Sequence, residues 1–368
     1  MKYTFEVIGM GAKKYGGFER YIVEEAQQLK AKGCGLVVIF DREPLATNYI
    51  SDLHSLGAIT EVIPQETLFA FARAFNLLLK KYKPYAVHTN FSSNLFPALF
   101  LARLHGVQRR IATEHCLPCI KTLHNKISYQ LAVALADEVL PVSKKSAEAL
   151  AAGVHFGKHK IHTLYLGIQE FLYDKHQNRL ELGIPDDTIS IMNVAYHDPV
   201  KGVDILLRAM DILINTKKIR NIRLFQIGGG MTGANTDNLH QLAKDLKIDD
   251  YIEWMGIRND VPRLLCAGDI YCQPSRSEGI PLSIMEASMA QLPTVATNVG
   301  GNPEAAIQGE NAILVPAEDP DRLASALLEM INNYDMRTSY GKEGRKIAME
   351  SFNLSSQVSQ LIAKYYRL

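Results

Sequence analysis

Two carboxylates, Glu278 and Glu286, bracket the turn Gly279-Ile280-Pro281-Leu282. An apolar run from Asp269 to Gln273 precedes them, and another, Pro293 to Thr297, follows. The pattern is strand, Gly/Pro turn, helix, strand. It sets a helix N-terminus beyond the carboxyl end of a parallel strand, where backbone N–H groups and the helix dipole favour a phosphate. Gly279, Ile280 and Leu282 can offer those N–H groups, whereas Pro281 has none. Glu286, about two turns into the helix, is placed to accept two hydrogen bonds from a ribose diol. The chemistry that suits this set is recognition of a diphosphate with hydroxyl-rich ends.

Holding such a turn requires parallel sheets. Strand patterns occur at Thr4–Ile8, Leu36–Phe40, Ala86–Thr89, Arg110–Thr113 and Glu138–Val142, with helical patterns at Phe18–Lys32, Phe69–Lys83 and Asn94–His105. The second half repeats the scheme, with strands at Ser190–Val194, Arg223–Ile227, Ile252–Met255, Ile270–Gln273, Thr294–Ala296 and Ala312–Val315. Its helices include Val203–Ile214, Asn238–Leu246, Val261–Ala267, Leu282–Ala290 and Pro320–Asn332. This alternation predicts an α/β protein of two doubly wound parallel sheets. The hinge falls near Tyr165–Asp187, where Gly167, Gly183 and Pro185 interrupt the periodicity. The expected domains are residues 1–168 and 169–350, followed by an amphipathic C-terminal helix over 351–368.

Composition narrows the class. Of 368 residues, 47% are hydrophobic and 21% charged, and the net charge is +1, which excludes bulk nucleic-acid binding. The charge is uneven: residues 1–170 hold 20 Lys+Arg against 14 Asp+Glu, and residues 171–368 hold 20 against 25. The basic half, with clusters such as Lys13-Lys14, Lys80-Lys81, Arg109-Arg110 and Lys144-Lys145, suits an acidic acceptor or an anionic membrane surface, although basic helix ends are also commonly just solvated. Five cysteines make no disulfide framework, and Cys116-Leu-Pro-Cys119 has redox spacing but no second ligand pair. No leader pattern precedes the first strand and no apolar run reaches ~18 residues, so a cytoplasmic enzyme is expected, placed at the inner face of a membrane if the basic half meets lipid.

The segment Pro274 to Glu304 resembles the signature of retaining nucleotide-sugar glycosyltransferases of family 4, group 1. It matches at Pro274, Ser275, Glu278, Gly279, Pro281, Leu282, Glu286, Ala287, Met289, Ala290, Pro293, Val295, Ala296, Thr297, Gly300, Gly301 and Glu304. Further likenesses are Gly16-Gly17-Phe18-Glu19-Arg20 after the first strand, Thr113-Glu114-His115, Gln226-Ile-Gly228-Gly-Gly, and Gly256-Ile-Arg258. The resemblance implies a GT-B architecture, two Rossmann-like domains facing across a cleft, with the C-terminal helix packing back on the N-terminal domain. It implies that Glu278 contacts hydroxyls of the donor sugar, that Glu286 binds ribose, and that Ile280 and Leu282 give N–H groups to sugar and diphosphate. Gly16 and Gly17 would lie near donor phosphate and acceptor, His115 near the donor sugar, Gly228 beside the nucleotide, and Arg258 over the base. Catalysis would rest on His115, Lys201 and Glu278, without metal and without a cofactor beyond the UDP- or GDP-sugar donor. The acceptor would be a glycan, a lipid-linked sugar or a small glycoside, in cell-surface polysaccharide, glycolipid or glycoside synthesis.

Two departures stand out. Val194-Ala-Tyr196-His197-Asp-Pro-Val-Lys201-Gly202 keeps the Lys that would neutralise the departing diphosphate, but Tyr196 stands where the family has Arg. Losing a fixed cation costs on the order of 3 kcal/mol of barrier, so a protonated His197 or a hydrogen bond from Tyr196 is expected to compensate. At the hinge, Leu166-Gly167-Ile168-Gln169 replaces the family's Asn-Gly-Val/Ile-Asp. The alternatives are a nucleotide-sugar epimerase of the same architecture, a catalytically weak nucleotide-sugar-binding subunit, and a plain dehydrogenase, for which Gly9-Met-Gly11-Ala-Lys-Lys14 is a poor fingerprint.

Overall fold

The computed structural model describes the chain except Met10, Lys13, Lys14, Pro64, Gln65, Ser92, Ser93, Asn94, Cys119, Lys121, Met231, Thr232 and the side chains of Leu95, Leu123, His124 and Ala234. The Lys13-Lys14 cluster, the second cysteine of Cys116-Leu-Pro-Cys119 and the start of the helix expected at Asn94 lie outside the described residues. Two compact units form, one from Met1–Gly167 with Leu354–Leu368 and the other from Ile168–Asn353.

Unit 1 alternates β1 (Lys2–Ile8), α1 (Gly17–Ala31), β2 (Cys34–Phe40), α2 (Thr47–Ser55), β3 (Ile59–Val62), α3 (Leu68–Tyr82), β4 (Ala86–Asn90), α4 (Leu95–Leu104), β5 (Arg109–Glu114), α5 (Leu123–Leu135), β6 (Glu138–Pro141) and α6 (Lys144–Gly153). Unit 2 runs α7 (Lys175–Glu181), β7 (Ile189–Val194), α8 (Val203–Asp211), β8 (Ile222–Ile227), α9 (Gly233–Asp245), β9 (Ile252–Gly256), α10 (Val261–Leu265), β10 (Ile270–Gln273), α11 (Leu282–Met289), β11 (Thr294–Thr297), α12 (Asn302–Ala305), β12 (Ala312–Val315), α13 (Pro320–Asn332) and α14 (Tyr334–Ser351). The tail adds α15 (Leu354–Gln360) and a wider turn, Leu361–Tyr366, to unit 1.

Both sheets are parallel throughout, in the orders β3-β2-β1-β4-β5-β6 and β12-β11-β10-β7-β8-β9. Read from the other edge, the second order is the first over again. In each sheet the strand order reverses beside the first strand, between β1 and β4 and between β7 and β10. Loops leaving the carboxyl ends of such a pair diverge and open a crevice. The central strands are buried on both faces, as continuous apolar runs in a doubly wound sheet should be: Val37, Val38 and Ile39 of β2 and Ile270, Tyr271 and Cys272 of β10 are wholly enclosed. The tail packs on α1, where Gln28 Nε2 donates to Ser355 O at 3.0 Å, and Tyr365 and Tyr366 enter the unit 1 core.

Candidate functional site

In unit 2 the reversal point gathers the sequence's two strongest candidates. After β7 the chain turns through Ala195, Tyr196 and His197 into a short turn, Pro199–Lys201, that Asp198 caps by accepting from Val200 N at 2.9 Å. Gly202 then adopts φ 66°, and a Cβ there would lie 2.1 Å from Pro274 O, so only glycine lets this turn press against the loop after β10. That contact joins residues far apart in sequence. Lys201 Nζ donates to Glu278 Oε1 at 2.8 Å and Oε2 at 3.0 Å.

Glu278 is 7% exposed, and Oε1 also accepts from Ser275 Oγ at 2.7 Å and Gln273 Nε2 at 2.9 Å. Gln273 is oriented in turn by Tyr271, whose hydroxyl donates to its Oε1 at 2.5 Å. Oε1 is thus saturated, while Oε2 takes one described donor and keeps room for a hydroxyl. The Lys201 side chain remains 27% exposed, and an ammonium has three protons, so one stays available for an anion. Behind the pair, Gly300 (φ 50°) closes over Glu278; a Cβ there would fall 1.8 Å from the Glu278 carbonyl oxygen. Glu286 is half-buried on α11, on the same face as Leu282 one turn earlier. Gly279, Ile280 and Pro281 form the loop that leads into that helix.

Arg276, which the motif leaves as an arbitrary residue, locks this arrangement. Its guanidinium forks onto Asp204 at 2.8 and 2.8 Å and reaches Glu318 and the Pro199 carbonyl, and the Arg276 backbone N–H donates to Val200 O at 2.7 Å. Burial pushes the Asp204 carboxyl up, but the Arg276 fork outweighs it and holds the group below its ordinary value. The Lys201 turn is therefore tied to the Glu278 loop by side chain and by backbone.

In unit 1, Gly16 caps α1, and Glu19 reaches back to accept from Gly16 N at 2.9 Å. Glu19 of the Gly-Gly motif is thus a helix cap, with Gly17 the first helical residue. His115 lies just past β5. Its Nε2 is 2.8 Å from Asn90 Oδ1, and Asn90 Nδ2 donates to Glu6 Oε2 at 2.6 Å. Those directions leave the proton on Nε2 and make Nδ1 an acceptor, and Nδ1 is buried with no partner among the described residues. Phe91, a bulky residue at φ 52°, stacks on the imidazole at 3.7 Å. Burial, and then the neighbouring His88, push His115 down to about 3, so the ring is neutral. Asn90 and Phe91 were not legible as site residues, since no motif carries them.

A family profile described as "Glycosyl transferases group 1" matches residues 174–347, and one described as "Glycosyltransferase Family 4" matches residues 15–170. The chain belongs to the family 4, group 1 glycosyltransferases. A D-inositol 3-phosphate glycosyltransferase from Corynebacterium glutamicum is 31% identical over 51% of this chain and 46% of its own, so that match spans under half of the relative. One from Corynebacterium aurimucosum is 25% identical over 95% of this chain and 91% of its own. Among solved structures, Anabaena HepE in complex with UDP superposes with a TM-score of 0.84 at 18% identity, over 100% of both chains, a likeness of the GT-B fold.

Within this glycosyltransferase, one expectation needs correction. His197 is not a spare cation beside Tyr196. It is 4% exposed, with Nε2 2.8 Å from Gln226 Oε1 and Nδ1 2.8 Å from Thr236 Oγ1, while Gly230 N donates to that hydroxyl at 3.0 Å. Burial lowers its pKa despite Gln226. It braces the loop after β7 against the loop after β8, where Gly228 (φ 137°) abuts the Ala195 carbonyl. The missing Arg is therefore not replaced by His197. Arg258 forks edge-on onto Asp260 at 2.8 and 2.8 Å, a geometry that leaves its planar face for stacking. Among the described residues no three His, Cys, Asp or Glu side chains converge as metal ligands.

Proposed function

We propose that the protein moves a hexosyl group from a nucleoside diphosphate sugar to an acceptor hydroxyl with retention of anomeric configuration. The observation that carries this is the Lys201–Glu278 pair, fixed by Gln273 and Ser275 at the reversal point of unit 2 and followed directly by α11. Lys201 supplies its remaining proton to the leaving diphosphate, and the N–H groups of Ile280 and Leu282 and the α11 dipole add to it. Glu278 Oε2 holds a sugar hydroxyl, Glu286 the ribose diol and Arg258 the base. The C–O bond to the diphosphate breaks as the acceptor oxygen attacks from the same face, and a diphosphate oxygen takes the acceptor's proton. HepE is solved with UDP and with UDP-glucose, so UDP-glucose is the first donor to test. The names of the corynebacterial relatives add a polyol phosphate to an acceptor panel of glycans, lipid-linked sugars and small glycosides.

Thermal shift with UDP, GDP and UDP-glucose tests the donor site. A ligand at 100 times its Kd adds about 2.7 kcal/mol. Lys201→Gln, which can still donate to Glu278, should bind at least about tenfold more weakly for loss of the charge. Silence to every nucleoside diphosphate would end the donor assignment. NMR of the product from an α-linked donor should show an α-glycoside; a β-product would refute retention. Donor binding without transfer to any acceptor would favour a binding subunit.

A further inference from the structure

The outer surface of unit 1 carries a feature that sugar transfer does not use. Helices α3, α4 and α5 lie side by side over one face of the sheet, with α4 between its neighbours. Along the solvent side of α3 the sequence sets Phe69, Arg73, Leu77 and Lys80 at helical spacing, all exposed. Phe100, Arg103 and Leu104 continue the surface on α4, and Lys126, Ile127 and Leu131 on α5. Phe69 is 78% and Leu104 66% exposed. Single exposed apolar residues need no account, but a run across three adjacent helices does.

Charge decides what covers it. From Thr67 to Ala136 the sequence holds nine Lys/Arg and one acid, Glu114. Glu114 is half-buried at the end of β5 and accepts from Tyr129 Oη at 2.7 Å and Cys116 N at 3.1 Å. The three helices contain no Asp or Glu; Glu66 is exposed just before the Thr67 cap of α3, and Glu61 of β3 accepts from Lys81 and Tyr82 at the other end of that helix. A second copy of this chain, meeting the same patch across a two-fold axis, would set cation against cation. Protein interfaces also under-use Lys. A surface whose helices alternate Phe and Leu with Arg and Lys and carry no acid of their own matches the boundary of an anionic bilayer, where apolar side chains enter the acyl edge and cations meet the headgroups. No described helix is long and apolar enough to cross a membrane, so the attachment is peripheral.

We propose that the α3–α4–α5 surface docks unit 1 onto anionic phospholipid bilayers through Phe69, Leu77, Phe100 and Leu104, with Arg73, Lys80 and Arg103 on the headgroups. This does not depend on the sugar donor. The test is co-sedimentation of the full chain with vesicles of 30% phosphatidylglycerol in phosphatidylcholine, against phosphatidylcholine alone. Binding should require the anionic lipid and weaken with salt. Phe69→Ser with Phe100→Ser, and separately Arg73→Glu with Lys80→Glu and Arg103→Glu, should each lower partitioning at least tenfold, since each basic side chain near such a surface is worth about fivefold. Lys217→Glu with Lys244→Glu, the same kind of change on unit 2, should leave it unchanged. The Tm of each unliganded variant should match that of wild type, which shows folding without reference to the donor site and separates this test from that of the donor. Failure to bind anionic vesicles, equal loss in the unit 2 control, or light scattering showing a dimer that Phe69→Ser disperses would each overturn the proposal.

Discussion

Arg276 shows how a residue with no chemical role of its own can govern a site. Lys201 and Glu278 sit in different loops, and their pairing depends on how closely those loops approach. The approach is set by glycine at position 202 and by the Arg276 fork on Asp204, with its further bonds to Pro199 and Val200. Replacing Arg276 with Gln should free the Pro199–Lys201 turn and weaken nucleoside diphosphate binding by about tenfold, the size of one charged hydrogen bond. The site is partly exposed, so Tm should fall by only about 2–4 °C. Arg276→Lys should not rescue it, because an ammonium cannot fork onto Asp204 while reaching Glu318. Unchanged affinity, measured by calorimetric titration, would mean that the turn is held without Arg276. Glu278 and Lys201 were individually legible in the sequence because a motif names each. Their ion pair was not, since no local pattern encodes a contact between residues so far apart, and neither were the donors Gln273 and Ser275 as partners of Glu278.

At the scale of elements, the sequence displays most strands and long amphipathic helices, and its omissions have physical causes. β3 is an edge strand, paired on one side only and part-exposed along Ile-Thr-Glu-Val, so it lacks the apolar run of an inner strand. Helix α14 lacks a strong apolar stripe and contains Gly341 and Gly344, residues that argue against helix. Its packing explains the first of them. A Cβ at Gly341 would lie 2.1 Å from Gln291 O, and Arg345 of the same helix donates to Met289 O, the end of α11, at 2.6 Å. α14 thus holds the helix that carries Glu286 through backbone contact that only glycine permits. Gly→Ala within a helix ordinarily stabilises by up to about 1 kcal/mol. Here Gly341→Ala should instead destabilise unit 2 by roughly 1–3 kcal/mol, as overpacking does, and lower nucleotide affinity by displacing α11. A Tm rise in Gly341→Ala would show that α14 has room to move away.

Across the whole molecule, two sheets of one topology enclose different interiors. Unit 1 buries Glu6, Glu25 and His88 around the Tyr366 hydroxyl of the tail, which lies 2.5 Å from Glu6 Oε1 and 2.9 Å from Glu25 Oε1. His88 Nδ1 is 2.7 Å from Glu6 Oε1. Burial pushes Glu6 up to about 8 and Glu25 well above its usual range, and pushes His88 down to about 4. The signs follow. Glu6 and Glu25 hold protons in the folded chain that the unfolded chain releases, so their contribution is complete below about 4.5 and is lost as pH rises, for Glu6 through about 8. His88 and His115 act oppositely: their contribution is complete above about 6.5 and is lost as pH falls towards 4 and 3. Between pH 4.5 and 6.5 the two effects oppose each other. From 6.5 to 8 the histidines are neutral folded or unfolded, and the carboxyls alone set the slope, up to about 1.4 kcal/mol per pH unit for each. Because the pair is coupled through Tyr366, the total falls short of twice that. Thermal unfolding followed from pH 6.5 to 8.5 should therefore show unit 1 losing stability steadily. His197, the unit 2 histidine with a lowered pKa, titrates below this window, so unit 2 should hold nearly constant. Glu6→Gln keeps the shape and the hydrogen-bonding capacity but cannot ionise, so it should flatten the unit 1 slope and raise its Tm at pH 8.5. If wild type and Glu6→Gln have the same Tm at both pH values, the tail's hydroxyl does not sit on a protonated carboxyl.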